Sequence, residues 1–121
     1  MQSDVRRIVA VEAHRRRSGR CPIRVHSLGT GESFEIKPVA NGFLDLATGI
    51  MVVSEGTQIK LPGGQGPIEL RLTGDVGFDG YDHGSHEPFS GRAGGGASVT
   101  LYDRDRKDYF QYAVAAEGDA V

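Results

Sequence analysis

The chain has little cysteine and no long apolar run. Cys21 is the one cysteine among 121 residues, so no internal disulfide can form. No apolar stretch approaches the ~20 residues that a membrane-spanning helix needs. The N-terminal segment lacks the order of a signal peptide, which is basic, then apolar, then small. These absences predict a cytoplasmic protein of bacterial type with no membrane partner.

Neither sign of charge is in large excess, since the formal net charge is −2. It is unevenly spread: residues 1–37 sum to +4 and residues 38–121 to −6. A nucleic-acid-binding domain is usually plainly basic, so a nucleic-acid partner is not expected. A basic end on an acidic body predicts contact with an anion or with a second copy of the chain.

Several catalytic signatures are missing from the sequence. It contains neither the G-x-x-x-x-G-K-S/T phosphate loop nor the G-x-S-x-G nucleophile elbow. Cys21 has no second cysteine to resolve an oxidised thiol, which favours an idle side chain. An enzyme is therefore the less expected class, and the chain gives no firm indication of a cofactor.

Glycine, by contrast, is abundant, with 18 residues that follow no period. They separate short apolar runs, which is typical of many tight turns in one small domain spanning residues 1–121. Four pairs of segments with alternating apolar residues predict hairpins: 22–28 with 33–39, 43–46 with 50–53, 57–61 with 68–72, and 98–103 with 109–114.

Four hairpins in succession predict an all-β fold. An antiparallel meander of this kind must close into a barrel or pack as a sandwich to hide its edges. We therefore expect a small antiparallel barrel or sandwich of about seven to nine strands. Whether it is a barrel or a sandwich, and in what strand order, the pattern leaves open.

Residues 1–17 fit two structures. Alternation of Val9, Val11 and Ala13 favours a strand, with the following arginine-rich segment as a turn. The spacing of Val5, Ile8 and Val9, with Ser3 as the cap, fits a short N-terminal helix instead.

The segment from Gly77 to Gly91 carries the first candidate site. Its imidazoles and carboxylates are ligand types for zinc and other divalent metals, and they come from Asp79, Asp82, His83 and His86. The interspersed glycines argue against a helix, and residues 74–96 show no clear strand, so the sequence predicts a long loop there. The competing interpretation is a polar connection whose Asp and His residues only suit turn geometry.

Clustered arginines form the second candidate, a site for a small anionic ligand such as a nucleotide. Guanidinium groups bind phosphate and carboxylate in a bidentate manner, and four of them lie close in sequence: Arg15, Arg16, Arg17 and Arg20. The Arg16 and Arg20 spacing resembles the R-x-x-x-R of PilZ domains, small β-barrels that bind a cyclic dinucleotide. The second PilZ motif does not follow, because Ala47 and Ile50 stand where serine and glycine would.

The function predicted from these patterns is a non-enzymatic binding or assembly module. It would act through its strand edges and the long 74–96 loop, and a homodimer would cover those edges. Two alternatives stay open: a metal-dependent enzyme or metal-binding protein using the Asp/His loop, and a receptor for an anionic ligand at the N-terminal arginines.

Overall fold

The fold is seen in a computed structural model that describes residues 1–62 and 66–118. One helix, α1, spans Ser3–Ser18 and precedes all the strands. The ten strands that follow are β1 Pro22–Ser27, β2 Ser33–Val39, β3 Gly42–Asp45, β4 Ile50–Glu55, β5 Gln58–Lys60, β6 Ile68–Thr73, β7 Gly77–Asp82, β8 Glu87–Ala93, β9 Ser98–Asp103 and β10 Asp108–Ala116.

The strands form a closed antiparallel barrel. Each strand pairs with its neighbours in sequence, and β10 returns to pair with β1 through Val114 and Val25. The all-β prediction is confirmed, with ten strands rather than seven to nine. Each of the ten described strands has a paired neighbour on both sides, so closure protects their edges. A role of strand edges in binding stays a prediction.

Helix α1 runs through the barrel interior. Every residue from Arg6 to His14 is buried, which covers more than two helical turns on all sides. Its side chains reach opposite parts of the wall: Arg7 bonds to Asp45 on β3, and Arg17 bonds to the carbonyl of Ala93 on β8. Side chains alone fill a barrel of about eight strands. We infer that the helix provides the extra filling that the ten-stranded barrel needs.

The strand interpretation of residues 1–17 is therefore wrong, and the helix alternative is right. Because the helix is buried on every side, its apolar residues are not restricted to one face. The alternation of Val9, Val11 and Ala13 therefore resembles a strand pattern by chance. Gln2 rather than Ser3 occupies the cap position, without a side-chain cap bond. Gly19 ends the helix at φ 69°, where its N–H donates to the Arg15 carbonyl at 2.9 Å.

All four predicted hairpins are present, as β1–β2, β3–β4, β5–β6 and β9–β10. Their inward positions alternate along each strand and supply the barrel core around α1, with Phe43, Ile59 and Leu101 among the fully buried side chains. The turn of the β5–β6 hairpin includes residues 63–65, which lie outside the described residues.

The predicted long loop at 74–96 is wrong, because this segment contains β7 and β8. Glycines within β7 and β8 interrupt the alternation of apolar residues that would have predicted strands. Gly80 pairs with Phe89 and Gly91 pairs with Phe78, and each phenylalanine ring lies over its partner glycine. A Cβ on Gly91 would lie 2.3 Å from the Phe78 ring, so these positions exclude a side chain.

Among residues 1–62 and 66–118, no helix has the length and hydropathy needed to cross a bilayer.

Candidate functional site

The candidate metal ligands lie around the β7–β8 turn but do not share a face. Asp79 points outward and pairs with Arg71 at 3.7 Å, whereas Asp82 is buried. The Asp82 carboxylate accepts hydrogen bonds from the Gly84 N–H and the Ser85 hydroxyl, both at 2.9 Å, and so holds the turn.

The two histidines take separate positions in the same turn. His83 packs edge-on against Tyr81 with ring centroids 4.9 Å apart, and His86 occupies the left-handed region at φ 59°. Within the described part of the chain, no group of three or more His, Cys, Asp or Glu side chains is arranged to hold a metal ion. Metal binding by these residues stays a prediction without a converging set of ligands.

The arginines at the end of α1 bind the barrel itself. Arg16 donates to the Leu70 carbonyl at 2.8 Å and the Gln58 carbonyl at 3.1 Å, and its Nε donates to Glu12 at 2.7 Å. Arg17 donates to the carbonyls of Ala93, Gly74 and Gly77 between 2.7 and 3.0 Å. These bonds fasten the helix to one rim of the barrel.

The other two members of the predicted cluster also have internal partners. Arg15 donates to Glu12 at 2.9 Å, and Arg20 donates to the Glu117 carbonyl at 3.1 Å. An anion site at Arg15, Arg16, Arg17 and Arg20 stays a prediction, but much of their donor capacity is already directed at the protein.

A different pair of arginines, Arg6 and Arg7, forms the best-defined site. They lie on the N-terminal half of α1, and each is more than nine-tenths buried, at 7% and 6% exposure. Arg7 Nη2 donates to Asp45 Oδ2 at 2.7 Å, while Arg6 Nη1 lies 3.5 Å from Asp103 Oδ2. Each buried guanidinium therefore has one carboxylate on the barrel wall.

Neither guanidinium is saturated by these contacts. A guanidinium has five N–H donors. Arg6 Nη1 also donates to the Met1 carbonyl at 2.5 Å, and the Met1 amino group lies 3.4 Å from Asp103. The Nε atoms of Arg6 and Arg7 are buried and have no hydrogen-bond partner among the described residues. A buried unpaired N–H is costly, so both side chains keep an unsatisfied donor inside the barrel.

Aromatic rings hold both guanidiniums in place. The Arg6 guanidinium carbon lies 3.9 Å from the centroid of Phe110, and that of Arg7 lies 3.9 Å from the centroid of Phe34. Such cation–π contacts orient the planar groups and add stability where water is excluded. The two arginines are thus fixed before any ligand arrives.

Strand register brings the remaining groups of the site together. Ser27 on β1 pairs with Tyr112 on β10, and Val25 on β1 pairs with Phe34 on β2. Three neighbouring strands therefore present Phe34, Tyr112 and Ser27 at the same end of the barrel interior, where the N-terminal half of α1 lies.

A pocket of about 100 Å³ lies between these groups. Its inner lining is Arg6, Arg7, Phe34, Phe110 and Tyr112. Ser3, Ser27, Thr30 and Glu32 complete it, and Glu32 is exposed at the rim. We call it the Arg6/Arg7 pocket.

Tyr112 reports on the electrostatics of this pocket. Burial raises the pKa of its phenol above the ordinary value, because the charged form would be desolvated. A hydrogen bond from Arg6 and the charges of Arg6 and Arg7 act in the opposite direction without cancelling the rise. Tyr112 therefore keeps its hydroxyl proton and can donate it to an acceptor.

This arrangement is suited to hold a small anion. It offers two oriented guanidiniums, a neutral phenol and aromatic walls around a small pocket with buried arginines at its inner end. Sequence reasoning missed it because Arg6 and Arg7 precede the denser arginine cluster and sit in a mostly apolar segment. Their apolar neighbours in sequence could have indicated the site. If that segment is buried, its two arginines are buried too and need buried partners.

Comparison with known proteins gives no relative from which to transfer a function. No protein-family model matches the chain, and neither does any curated protein or any solved structure, so no family match accompanies the resemblance of Arg16 and Arg20 to the PilZ motif.

Proposed function

We propose that the protein is a non-enzymatic binding module for a small monoanion of the carboxylate class, held in the Arg6/Arg7 pocket. The observation that carries the proposal is the pair of guanidiniums, both more than nine-tenths buried, that line one pocket. A planar carboxylate matches the donor geometry of a guanidinium.

Charge and size favour a carboxylate over a phosphate dianion. Asp45 and Asp103 already balance the two guanidiniums, so every negative charge on a ligand is added to a neutral set, and a dianion adds twice the charge of a monoanion. The exposed Glu32 at the rim adds to this discrimination. The pocket volume of about 100 Å³ suits a carboxylate group rather than a larger head group.

The chemistry of the lining favours binding over catalysis. Arginine stays protonated at all ordinary pH values, and the raised pKa of Tyr112 keeps its phenol neutral. Neither group is suited to move a proton near neutral pH. The groups instead orient and hold an acceptor.

Titration calorimetry with acetate and benzoate at low ionic strength tests the proposal. We expect binding by the wild type and at least a tenfold loss in Arg7→Lys, which keeps the charge but loses the planar fork. Arg71→Lys is the matched control, because Arg71 is exposed on the outer surface of β6. Circular dichroism of both variants establishes that they fold.

The rim carboxylate provides an independent check. Glu32→Gln removes a negative charge next to the pocket without touching Arg6 or Arg7, so acetate should bind about two- to fivefold more tightly, an effect of the size typical of exposed charges. Equal affinities for the wild type, Arg7→Lys and Glu32→Gln would show that any observed binding occurs elsewhere.

We retain the predicted homodimer as a second proposal, with a different basis from the strand edges. Met51 and Val53 are both exposed on the outer face of β4, and the neighbouring turn exposes Leu46. A second copy would cover this apolar face. Light scattering of the wild type and of Met51→Lys distinguishes a dimer that depends on this face from a monomer.

A further inference from the structure

A larger groove adjoins the Arg6/Arg7 pocket on the outside of the barrel mouth. It has a volume of about 420 Å³ and is formed by residues 27–30 and 108–111. The large apolar side chains among these residues are Leu28, Tyr109 and Phe110. We call it the Leu28/Tyr109 groove.

The groove and the pocket share part of their lining. Ser27, Thr30 and Phe110 line both, so the Phe110 ring that packs on Arg6 also forms a wall of the groove. A molecule whose charged end lies at Arg6 and Arg7 would reach the groove over the rim that Ser27, Thr30 and Phe110 form.

The apolar side chains of the groove are unusually exposed. Leu28 is 55% exposed and Tyr109 is 66% exposed, the two highest values among the large exposed apolar side chains of the described residues. The hydrogen bond from the Leu28 N–H to the Gln111 carbonyl, at 3.0 Å, fixes one side of the groove to the other. These side chains gain most from an apolar group that covers them.

We infer that the ligand is an amphipathic carboxylate, with its head group in the Arg6/Arg7 pocket and an alkyl or aryl tail in the Leu28/Tyr109 groove. This inference rests on the proposed function and specifies its ligand class. The orientation follows from charge: the groove contains the carboxylate of Asp108 and no cation, whereas the pocket contains two guanidiniums.

A series of straight-chain carboxylates tests the tail. Acetate, butanoate, hexanoate and octanoate are titrated below their micelle concentrations. We expect affinity to rise about two- to fourfold for each methylene that enters the groove, as partial burial of a methylene predicts. The rise should stop when the tail is longer than the groove.

Variants of the groove test which side chains cause the gain in affinity with chain length. Leu28→Ser and Tyr109→Ser change exposed residues and should fold normally. Each should flatten the dependence on chain length while leaving acetate affinity unchanged. Val76→Ser is the matched control, since Val76 is exposed at the opposite rim, where its carbonyl accepts from the Ala93 N–H, and it should keep the full dependence.

The failures of the two proposals are distinguishable. If acetate binds and depends on Arg7 but chain length has no effect, the amphipathic ligand is overturned and the carboxylate site stands. The same holds if the dependence on length survives in both Leu28→Ser and Tyr109→Ser. If no carboxylate of the series binds, the proposed function fails, and this inference fails with it.

Discussion

Arg7 on the central helix and Asp45 on strand β3 form a buried ion pair, with Nη2 and Oδ2 2.7 Å apart. Asp45 is fully buried, and its Oδ2 also accepts a hydrogen bond from the Thr48 hydroxyl at 2.5 Å. The pair links the helix to the barrel wall 38 residues further along the chain. It therefore contributes to positioning the helix as well as to the proposed anion site.

Loss of one partner should be costly. Arg7→Leu leaves the Asp45 carboxylate buried without its cation, and we expect the free energy of unfolding to fall by about 3–5 kcal/mol. Urea unfolding followed by circular dichroism measures it. The double variant Arg7→Leu/Asp45→Leu should recover more than half of the loss, because no uncompensated charge is then buried. A double variant as unstable as Arg7→Leu would show that the pair stabilises beyond charge compensation.

The uneven charge of the sequence is explained in part by this geometry. The basic N-terminal segment predicts an external anion or a second copy, yet Arg6 and Arg7 lie inside the barrel beside Asp103 and Asp45. Much of the charge complementarity is thus satisfied within one chain. A count of charges along the sequence cannot distinguish an internal partner from an external one, because the partners are brought together only by folding.

The rim arginines should matter for stability. Arg16 donates to the carbonyls of Leu70 and Gln58 and to Ser54 Oγ at 3.0 Å. Hydrogen bonds of charged donors contribute about 1.5–3 kcal/mol each, so Arg16→Ala should lower the free energy of unfolding by at least about 2 kcal/mol.

The control for Arg16→Ala is Arg24→Ala, which removes an exposed surface pair with Glu35. Such pairs contribute about 0–1 kcal/mol, so this variant should unfold almost as the wild type does. If Arg16→Ala unfolds at the same urea concentration as Arg24→Ala, the rim bonds do not hold the helix.

The strand glycines of β7 and β8 give a third prediction. At Gly91 a new Cβ would lie 2.2 Å from the Thr100 carbonyl oxygen, which belongs to the backbone and cannot move aside cheaply. Gly91→Ala should therefore destabilise the barrel by about 1–3 kcal/mol or more, as overpacking does. Gly96→Ala should be nearly neutral, because its Cβ would meet nothing within 4 Å. Equal unfolding midpoints for the two variants would contradict the close approach.

These glycines also show where sequence patterns fail. Hairpins such as β5–β6 follow from local alternation of Ile59, Ile68 and Leu70 with polar residues, so the pattern alone identifies them. In β7 and β8, Gly80 and Gly91 occupy inward positions whose apolar partner is a ring from the adjacent strand. The information lies in the pairing of strands, which local sequence does not contain.

The candidate site was harder to predict than the fold for a similar reason. Arg6 and Arg7 become a site only because the helix enters the barrel and meets Phe34 and Phe110. The denser arginine cluster is more conspicuous in sequence, yet Arg16 and Arg17 bind backbone carbonyls at the other end of the helix. Spacing indicates which residues lie close in sequence, whereas burial determines which of them face a pocket.

Tyr112 gives a prediction on pH. Its pKa is raised above 10.0 in the folded protein, chiefly because burial penalises the phenolate. The folded state therefore retains this proton more strongly than the unfolded state. The stabilisation is complete below the unfolded pKa near 10 and is lost as pH rises from there through the folded pKa. The free energy of unfolding should thus fall above pH 10 more steeply in the wild type than in Tyr112→Phe.

Urea unfolding at pH 8, 9, 10 and 11 measures this difference. Tyr109→Phe is the matched control, because that ring is 66% exposed in the folded protein and its hydroxyl lies at the surface. The control should follow the wild type across the series, whereas Tyr112→Phe should separate from it only at the alkaline end. Parallel curves for all three proteins would mean that the Tyr112 phenol reaches solvent in the folded state, and the closed inner wall of the Arg6/Arg7 pocket would then be wrong.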